Sequence, residues 1–243
     1  MDDTRRSILV VGAGDATGGA IAQRFAREGF AACVTRRSAD KLAPLVEQIQ
    51  ADGGEAHGFA SDARKELDVE TLVAHIEREI APIDVAVFNI GANVRFGIAE
   101  TTERVYRKVW EMGALAGFLM GREVAKAMVP RGRGTIIFTG ATASMRGSAG
   151  FAAFAGAKHA LRALAQSMAR ELGPQGVHVA HVVIDGAIDT RFIAENFPER
   201  YALKERAGIL SPDAIADNYW NLHRQDRSAW THELDLRPWL ETW

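Results

Sequence analysis

The sequence contains a single cysteine, Cys33, which excludes an intrachain disulfide and a cysteine-cluster metal site. No apolar stretch approaches the roughly 18 residues needed to span a bilayer, and the apolar run at residues 8–11 is too short for a signal-peptide core. Neither charge is in excess, because 29 basic residues stand against 31 acidic ones. This balance does not favour nucleic acid or an anionic membrane as a partner. We therefore expect a cytoplasmic protein without either partner.

Apolar runs typical of strands alternate with amphipathic helical stretches along most of the 243 residues. Strands are predicted at residues 7–12, 31–35, 56–60, 85–89, 135–140 and 177–184, and helices at 18–28, 39–50, 67–80, 103–128 and 152–172. Several runs are apolar nearly throughout, as expected for strands covered by helices on both faces. The alternation predicts an α/β fold, a single Rossmann-type domain over residues 1–243 with a doubly wound parallel sheet.

The last third of the chain mixes aromatic and basic residues. Residues 190–212 are predicted to form a substrate lid that admits a bulky apolar or anionic substrate, although a surface helix pair with an apolar inner face explains the pattern equally well. Residues 231–237 alternate polar and apolar side chains and predict a final strand. Four of the five tryptophans, Trp220, Trp230, Trp239 and Trp243, follow the predicted lid. We expect this tail to pack on its own core or on a sister subunit, and a role in the substrate pocket is the alternative.

A glycine-rich turn joins the first predicted strand to the first predicted helix. Glycines in such a turn let the backbone approach a pyrophosphate, whose charge is favoured at a helix N-terminus. The position of the turn between strand and helix favours nucleotide binding over a purely structural turn that packs the helix on the strand. The predicted cofactor-binding residues here are Gly12, Gly14, Asp15, Ala16, Thr17 and Gly18.

Two arginines, Arg36 and Arg37, follow the second predicted strand at the place where an acidic residue would favour NAD. Guanidinium groups suit a 2′-phosphate, so NADP(H) is favoured over NAD(H). The negative charge of Asp15 opposes this preference, and a solvated surface pair is the alternative explanation of the arginines.

The chain from residue 7 to about 237 resembles the short-chain dehydrogenase/reductase family. Its glycine turn is similar to the family's TGxxxGxG, with Val11 for the threonine, and residues 156–158 resemble the end of the YxxxK motif. The resemblance implies the family's fold, a nicotinamide cofactor and a small-molecule substrate. It also implies a homodimer or homotetramer paired through the helices at 103–128 and 152–172. Further cofactor contacts implied by matching segments are Asp62, Ala63, Asn89, Ile90, Gly91, Lys158, Gly186, Ile188 and Thr190.

The same resemblance places three different residues at positions of the family's Asn-Ser-Tyr-Lys tetrad. Counting from Lys158, the tyrosine position is occupied by Phe154 and the serine position by Ala141, and the asparagine position aligns with Gly113. In the family mechanism the tyrosine exchanges a proton with the substrate oxygen and the serine holds that oxygen. Loss of a positioned acid lowers the reaction rate by about 10²–10⁴-fold. Ordinary carbonyl reduction by the family route is therefore not expected.

Hydroxyl and carboxyl side chains near the expected nicotinamide site are candidates to replace the missing proton donor. Thr142 and Ser144 follow the fifth predicted strand and Asp185 the sixth, whereas His159 should point elsewhere on its helix. The candidate catalytic residues are Lys158, Ser144 and Asp185, and no metal site is expected.

Two functions remain open at this point. The first is an NADP(H)-dependent oxidoreductase with an altered proton-transfer route, acting on a conjugated or bulky carbonyl substrate. The second is a catalytically silent NADP(H)-binding sensor or scaffold. A methyltransferase fits poorly, because it would leave Arg36, Arg37 and Lys158 without a role.

Overall fold

The alternating strands assemble into one seven-stranded parallel sheet in a computed structural model that describes residues 5–242. The strands are β1 (Ser7–Val11), β2 (Ala31–Arg36), β3 (Ala56–Ala60), β4 (Ile83–Phe88), β5 (Gly134–Thr139), β6 (Val177–Ile184) and β7 (Glu233–Leu236). Their order across the sheet is β3-β2-β1-β4-β5-β6-β7, and each neighbouring pair is parallel. This is the doubly wound single-domain α/β fold that the sequence predicts, including the final strand.

Helices connect successive strands because parallel neighbours need a crossover. The α-helices within residues 5–242 are α1 (Thr17–Ala26), α2 (Ala43–Ala51), α3 (Glu66–His75), α4 (Glu103–Trp110), α5 (Ala116–Met128), α6 (Ala152–Leu172), α7 (Arg191–Asn196), α8 (Pro198–Tyr201) and α9 (Pro212–His223). Across the same residues, no helix combines the length and apolarity needed to cross a membrane.

The apolar core lies on both faces of the sheet. Phe25 of α1 and Tyr219 of α9 are fully buried against one face. On the opposite face, Leu119 of α5 and Leu161 of α6 are buried against β4 and β5. Full burial of such side chains contributes about 1.5–3 kcal/mol each. Helices therefore cover both faces of the sheet, and the loops at the strand ends remain at its edge.

The helix predicted over residues 103–128 is not continuous. A π-helical segment, Glu111–Leu115, separates α4 from α5. Within it, a Cβ atom on Gly113 would lie 3.0 Å from the Cβ of Ala157 in α6. The break therefore occurs where α6 packs closely against a residue without a side chain, a contact that helical periodicity cannot predict.

The aromatic tail packs largely on its own chain. Trp220 is buried between Phe25 and Phe30, with ring centroids 5.2 and 6.0 Å away. Trp230 stacks on His178 of β6 at 4.8 Å. Trp239 is exposed and donates its indole N–H to the carbonyl of Arg206 at 2.9 Å. Trp243, the fourth tryptophan of the predicted tail, lies outside the described residues.

Candidate active site

A cleft of about 940 Å³ opens at the carboxyl ends of the strands, beside β1 and β4. The strand order reverses between these two strands, and ligands of open α/β sheets bind at such a point. The loops after β1, β4, β5 and β6 line the cleft, and α7 and α8 form its outer side.

The glycine turn after β1 forms one end of the cleft. Gly12 has φ +92°, and a Cβ atom there would lie 2.9 Å from the carbonyl of Asn89. A Cβ on Gly18 would lie 2.6 Å from the Gly12 carbonyl. Gly14 has open space at its Cβ position and lines the cleft with Asp15 and Ala16. The turn therefore needs glycine to fold and leaves backbone exposed to a ligand.

The start of α1 fits the pyrophosphate of a dinucleotide. Thr17 begins the helix and lines the cleft, and its buried hydroxyl has no hydrogen-bond partner within the described residues. Backbone N–H groups in a first helical turn lack partners inside the helix and favour an anion. Asn89 stabilises the turn by donating its side-chain amide to the Gly12 carbonyl at 3.2 Å. The neighbouring Ile90 and Gly91 also line the cleft.

The predicted cofactor contacts Arg36, Arg37, Asp62 and Ala63 lie at the ends of β2 and β3, outside the lining of the cleft. Arg36 is half-buried and Arg37 exposed, and neither side chain forms an ion pair or a hydrogen bond within residues 5–242. Asp62 accepts two hydrogen bonds from the Arg64 guanidinium, at 2.8 and 2.6 Å, which lower the pKa of Asp62 to about 2. The positive charge of Arg37 acts in the same direction. Ala63 is buried beside Asp62.

Lys158 lies at the floor of the cleft and is only 3% exposed. Its Nζ donates to the carbonyls of Thr139 at 2.8 Å and Ile90 at 3.3 Å. Burial in this largely apolar surrounding lowers the pKa of the Lys158 ammonium from 10.5 to about 8. The Phe154 ring also lines the cleft, and its centroid is 5.9 Å from Nζ. The site thus holds a buried amine beside an aromatic ring without a hydroxyl.

Asp185 and Thr142 meet across the cleft floor. The Thr142 hydroxyl donates to Oδ1 of Asp185, and both residues line the cleft. Guanidinium nitrogens of Arg146 and Arg237 lie 3.9 and 3.5 Å from the same carboxyl group. Asp185 is therefore a buried acceptor held by a hydroxyl and two cations.

Ser144 lies apart from this group. It is fully buried in the 3₁₀ turn Thr142–Ser144, and its Oγ accepts the backbone N–H of Ala141 at 3.1 Å. The side chain does not line the cleft. The predicted catalytic residues Lys158 and Asp185 are thus brought to the cleft, whereas Ser144 is turned into the protein.

The segment after β6 carries the remaining predicted cofactor contacts. Gly186 and Ile188 line the cleft. Thr190 begins the predicted lid, where its Oγ1 accepts the backbone N–H of Ile193 at 3.2 Å and caps α7. Trp239 of the tail binds the other end of this segment through the Arg206 carbonyl.

Several cleft residues were not predicted from the sequence. Arg95 follows β4, Arg146 follows β5, and Glu241 reaches the cleft from the tail. Arg95 and Arg146 could have been found as charged residues in loops at the carboxyl ends of strands, where α/β folds bind ligands. No local pattern indicates Glu241, since only the folded tail brings it there.

Comparisons with known proteins agree with the geometry. A family model described as short chain dehydrogenase matches residues 6–200. Human dehydrogenase/reductase SDR family member 4 is 32% identical over 185 residues, which cover 76% of this chain and 66% of the relative. Short-chain dehydrogenase/reductase eriH of Hericium erinaceus is 30% identical over 215 residues, 86% of this chain and 83% of the relative.

Solved structures extend the likeness to nearly the whole chain. A short-chain dehydrogenase from Rhodopseudomonas palustris is 47% identical with a TM-score of 0.82, covering 96% of this chain and 99% of that one. A metagenomic short-chain oxidoreductase in complex with NADP is 26% identical with a TM-score of 0.79, covering 96% and 97%. With its fold, glycine turn and cleft, this chain belongs to the short-chain dehydrogenase/reductase family.

Proposed function

We propose that this protein is an NADP(H)-dependent oxidoreductase that acts on a conjugated or bulky carbonyl compound through an altered proton route. The observation that carries the proposal is the buried Lys158 amine in the same cleft as the glycine turn. A bound nicotinamide would supply or accept the hydride. A buried ammonium group destabilises the folded protein. Its retention in a cleft therefore favours a working site over a silent one.

Lys158 is the proposed proton source. An ammonium group has three N–H donors, and the carbonyls of Thr139 and Ile90 occupy two of them. The third remains for a ribose hydroxyl, a water molecule or the substrate. Because the pKa of Lys158 is lowered to about 8, the group is charged at neutral pH yet releases its proton more readily than an exposed lysine.

Asp185 is the second proposed catalytic residue, as part of a pair with Thr142. The carboxyl accepts the Thr142 hydroxyl. In alcohol oxidation Thr142 would take the proton of the substrate hydroxyl while its own passes to Asp185 and then to solvent. In carbonyl reduction a proton taken up by Asp185 from solvent would follow the same path back to the substrate oxygen. Ser144 takes no part in the proposal, because its buried hydroxyl accepts from Ala141. Reduction of a conjugated C=C bond is the favoured chemistry. Hydride would go to the β-carbon, and the resulting enolate would take its proton on the α-carbon from Lys158 or solvent, so no positioned acid is needed on oxygen.

The preference for NADP(H) rests on Arg36 and Arg37. Both guanidinium groups are available, and a 2′-phosphate at the end of β2 would meet them. A related short-chain oxidoreductase has been solved in complex with NADP, which supports the assignment.

The experiment that tests this function is a titration with NADPH and, separately, NADH, followed by nicotinamide fluorescence. We expect tighter NADPH binding, and we expect Arg36→Ala and Arg37→Ala each to weaken NADPH binding by tenfold or more while leaving NADH binding unchanged. Arg27→Ala is the control, because Arg27 is an exposed arginine just after α1. Equal affinities in all variants would contradict the assignment of these arginines.

Turnover is then measured with conjugated enones and bulky ketones in the presence of the preferred cofactor. The reaction is established if wild type oxidises NADPH in the presence of such a substrate and the Lys158→Met variant does not. Cofactor binding without any turnover would instead favour an NADP(H) sensor. Absence of binding by either cofactor would leave the fold as a scaffold and end the proposal.

We further propose that the protein forms a homodimer or homotetramer through α4, α5 and α6. Tyr106 and Trp110 of α4 and Phe118 of α5 are each more than 40% exposed and offer apolar surface for such a contact. Light scattering on the purified protein gives the mass, and Trp110→Glu together with Phe118→Glu is expected to yield monomers.

A further inference from the structure

The substrate side of the cleft contains two arginines on neighbouring loops. Arg95 lies in the loop between β4 and α4, and Arg146 in the loop between β5 and α6. The loops are joined by a hydrogen bond from the Phe96 N–H to the Gly150 carbonyl at 2.9 Å. Both arginine side chains are exposed to the cleft.

The acidic residues of the cleft leave these two cations largely uncompensated. Glu241 is bound by Arg200 at 2.8 Å. Asp15 belongs to the glycine turn at the cofactor end. Neither acid forms an ion pair with Arg95 or Arg146 within residues 5–242.

Asp185 is the remaining acid, and it is already engaged. It accepts the Thr142 hydroxyl and lies 3.5 Å from the Arg237 guanidinium. Arg146 reaches it only at 3.9 Å and donates it no hydrogen bond. Arg95 has no ion pair anywhere in the described part of the chain, where its cationic contact is with the Phe151 ring at 6.0 Å.

Aromatic side chains form the wall beside these arginines. Phe151 and Phe154 come from the start of α6, and Phe192 and Phe197 from the opposite side, where their rings meet edge to face at 6.0 Å. Phe192 and Phe197 remain 61% and 50% exposed. Such a surface favours an apolar body, while guanidinium groups bind carboxylate or phosphate through paired hydrogen bonds.

We propose that the substrate is an apolar carbonyl compound bearing an anionic group, a carboxylate or a phosphate, which Arg95 and Arg146 bind. The apolar body then rests on the phenylalanine wall, and the substrate atom that takes the proton faces Lys158. This inference rests on the proposed function, because it names the substrate class of the same cleft. These two cations at its mouth, of which Arg95 has no ion pair within residues 5–242 and Arg146 is only 3.9 Å from Asp185, also attract anions from solution before contact.

The test uses three fluorinated probes of similar size and follows their ¹⁹F NMR signals. These are 4-fluorobenzoate, 4-fluorophenyl phosphate and the neutral 4-fluorobenzamide, each titrated with and without excess NADP⁺. The proteins are wild type, Arg95→Ala, Arg146→Ala and the double variant. Arg104→Ala, which removes an exposed arginine on α4 away from the cleft, is the control for the loss of one positive charge.

We expect at least one anionic probe to bind wild type more tightly than the amide, with and without NADP⁺. Each single substitution should weaken that binding by about tenfold or more, whereas Arg104→Ala should leave it unchanged. Preference for the benzoate assigns a carboxylate to the substrate, and preference for the phenyl phosphate assigns a phosphate. The amide should bind equally to all five proteins.

Three results would overturn the inference. Wild type could bind the amide as tightly as either anion, or the double variant could retain anion binding. Displacement of the anion by NADP⁺ would place it in the glycine turn instead. These results are distinguishable from failure of the proposed function. Binding of NADPH without binding of the anion would indicate a neutral substrate. If NADPH does not bind, anion binding is still measured on the cofactor-free protein.

Discussion

Replacing Lys158 with methionine tests whether the amine is as desolvated as the structure indicates. Methionine keeps an unbranched side chain of similar length but has no charge. In the wild-type protein, Nζ has two carbonyl partners and no carboxylate partner within the described residues. Burial is the cause that lowers the pKa of Lys158 from 10.5 to about 8.

The expected effect on stability follows from these two pKa values. A change of one in pKa corresponds to about 1.4 kcal/mol, so the charged amine costs the folded state about 3 kcal/mol at neutral pH. Between about pH 8 and pH 10.5 the unfolded chain retains this proton and the folded protein does not. The free energy of unfolding of wild type therefore rises with pH in that window, relative to a variant without the amine. Below about pH 8 the penalty is constant.

The assay is urea unfolding of wild type and Lys158→Met at intervals from pH 7 to about pH 10.5. The difference between the two free energies of unfolding removes the contribution of all other titrating groups. We expect this difference to change by about 3 kcal/mol in favour of wild type as pH rises. Lys108→Met, at an exposed position of α4, should show no such change. Parallel curves for wild type and Lys158→Met would refute the buried-amine reasoning and with it the proposed proton source.

Gly12→Ala should lower the melting temperature, because φ +92° and a backbone contact at 2.9 Å exclude a side chain; Gly14→Ala, with no atom within 4 Å of its Cβ position, should leave it nearly unchanged. Ala141→Ser combined with Phe154→Tyr should raise NADPH-dependent reduction of simple ketones by at least about 10²-fold; an unaltered rate would contradict the tetrad reasoning. Burial lowers the pKa of His181 from 6.5 to about 4, so the unfolded chain binds a proton first as the pH falls. Wild type should therefore lose stability between these values in acid titrations, and His181→Phe should lose less.

The strands and the glycine turn could be predicted because their signals are local. Apolar runs of strand length and their alternation with helices depend on neighbouring residues only, and the predicted strand at residues 56–60 has the same bounds in the structure. Gly12 follows β1 directly, so its place at the sheet edge follows from the strand itself. By contrast, the break at Glu111–Leu115 depends on Ala157 of α6, which lies 44 residues after Gly113 in the chain.

The sequence by itself determined the family, the parallel α/β architecture and the position of the nucleotide-binding turn, because each rests on hydrophobic periodicity or on glycines at fixed spacing. Only the tertiary structure decided which polar groups share the cleft. Thr142 and Ser144 are two residues apart in one 3₁₀ turn, yet one hydroxyl meets Asp185 and the other is buried beneath Ala141. Arg95 and Arg146 come together from loops 51 residues apart. Such groups are selected by the packing of distant strands and loops, which local sequence patterns do not encode.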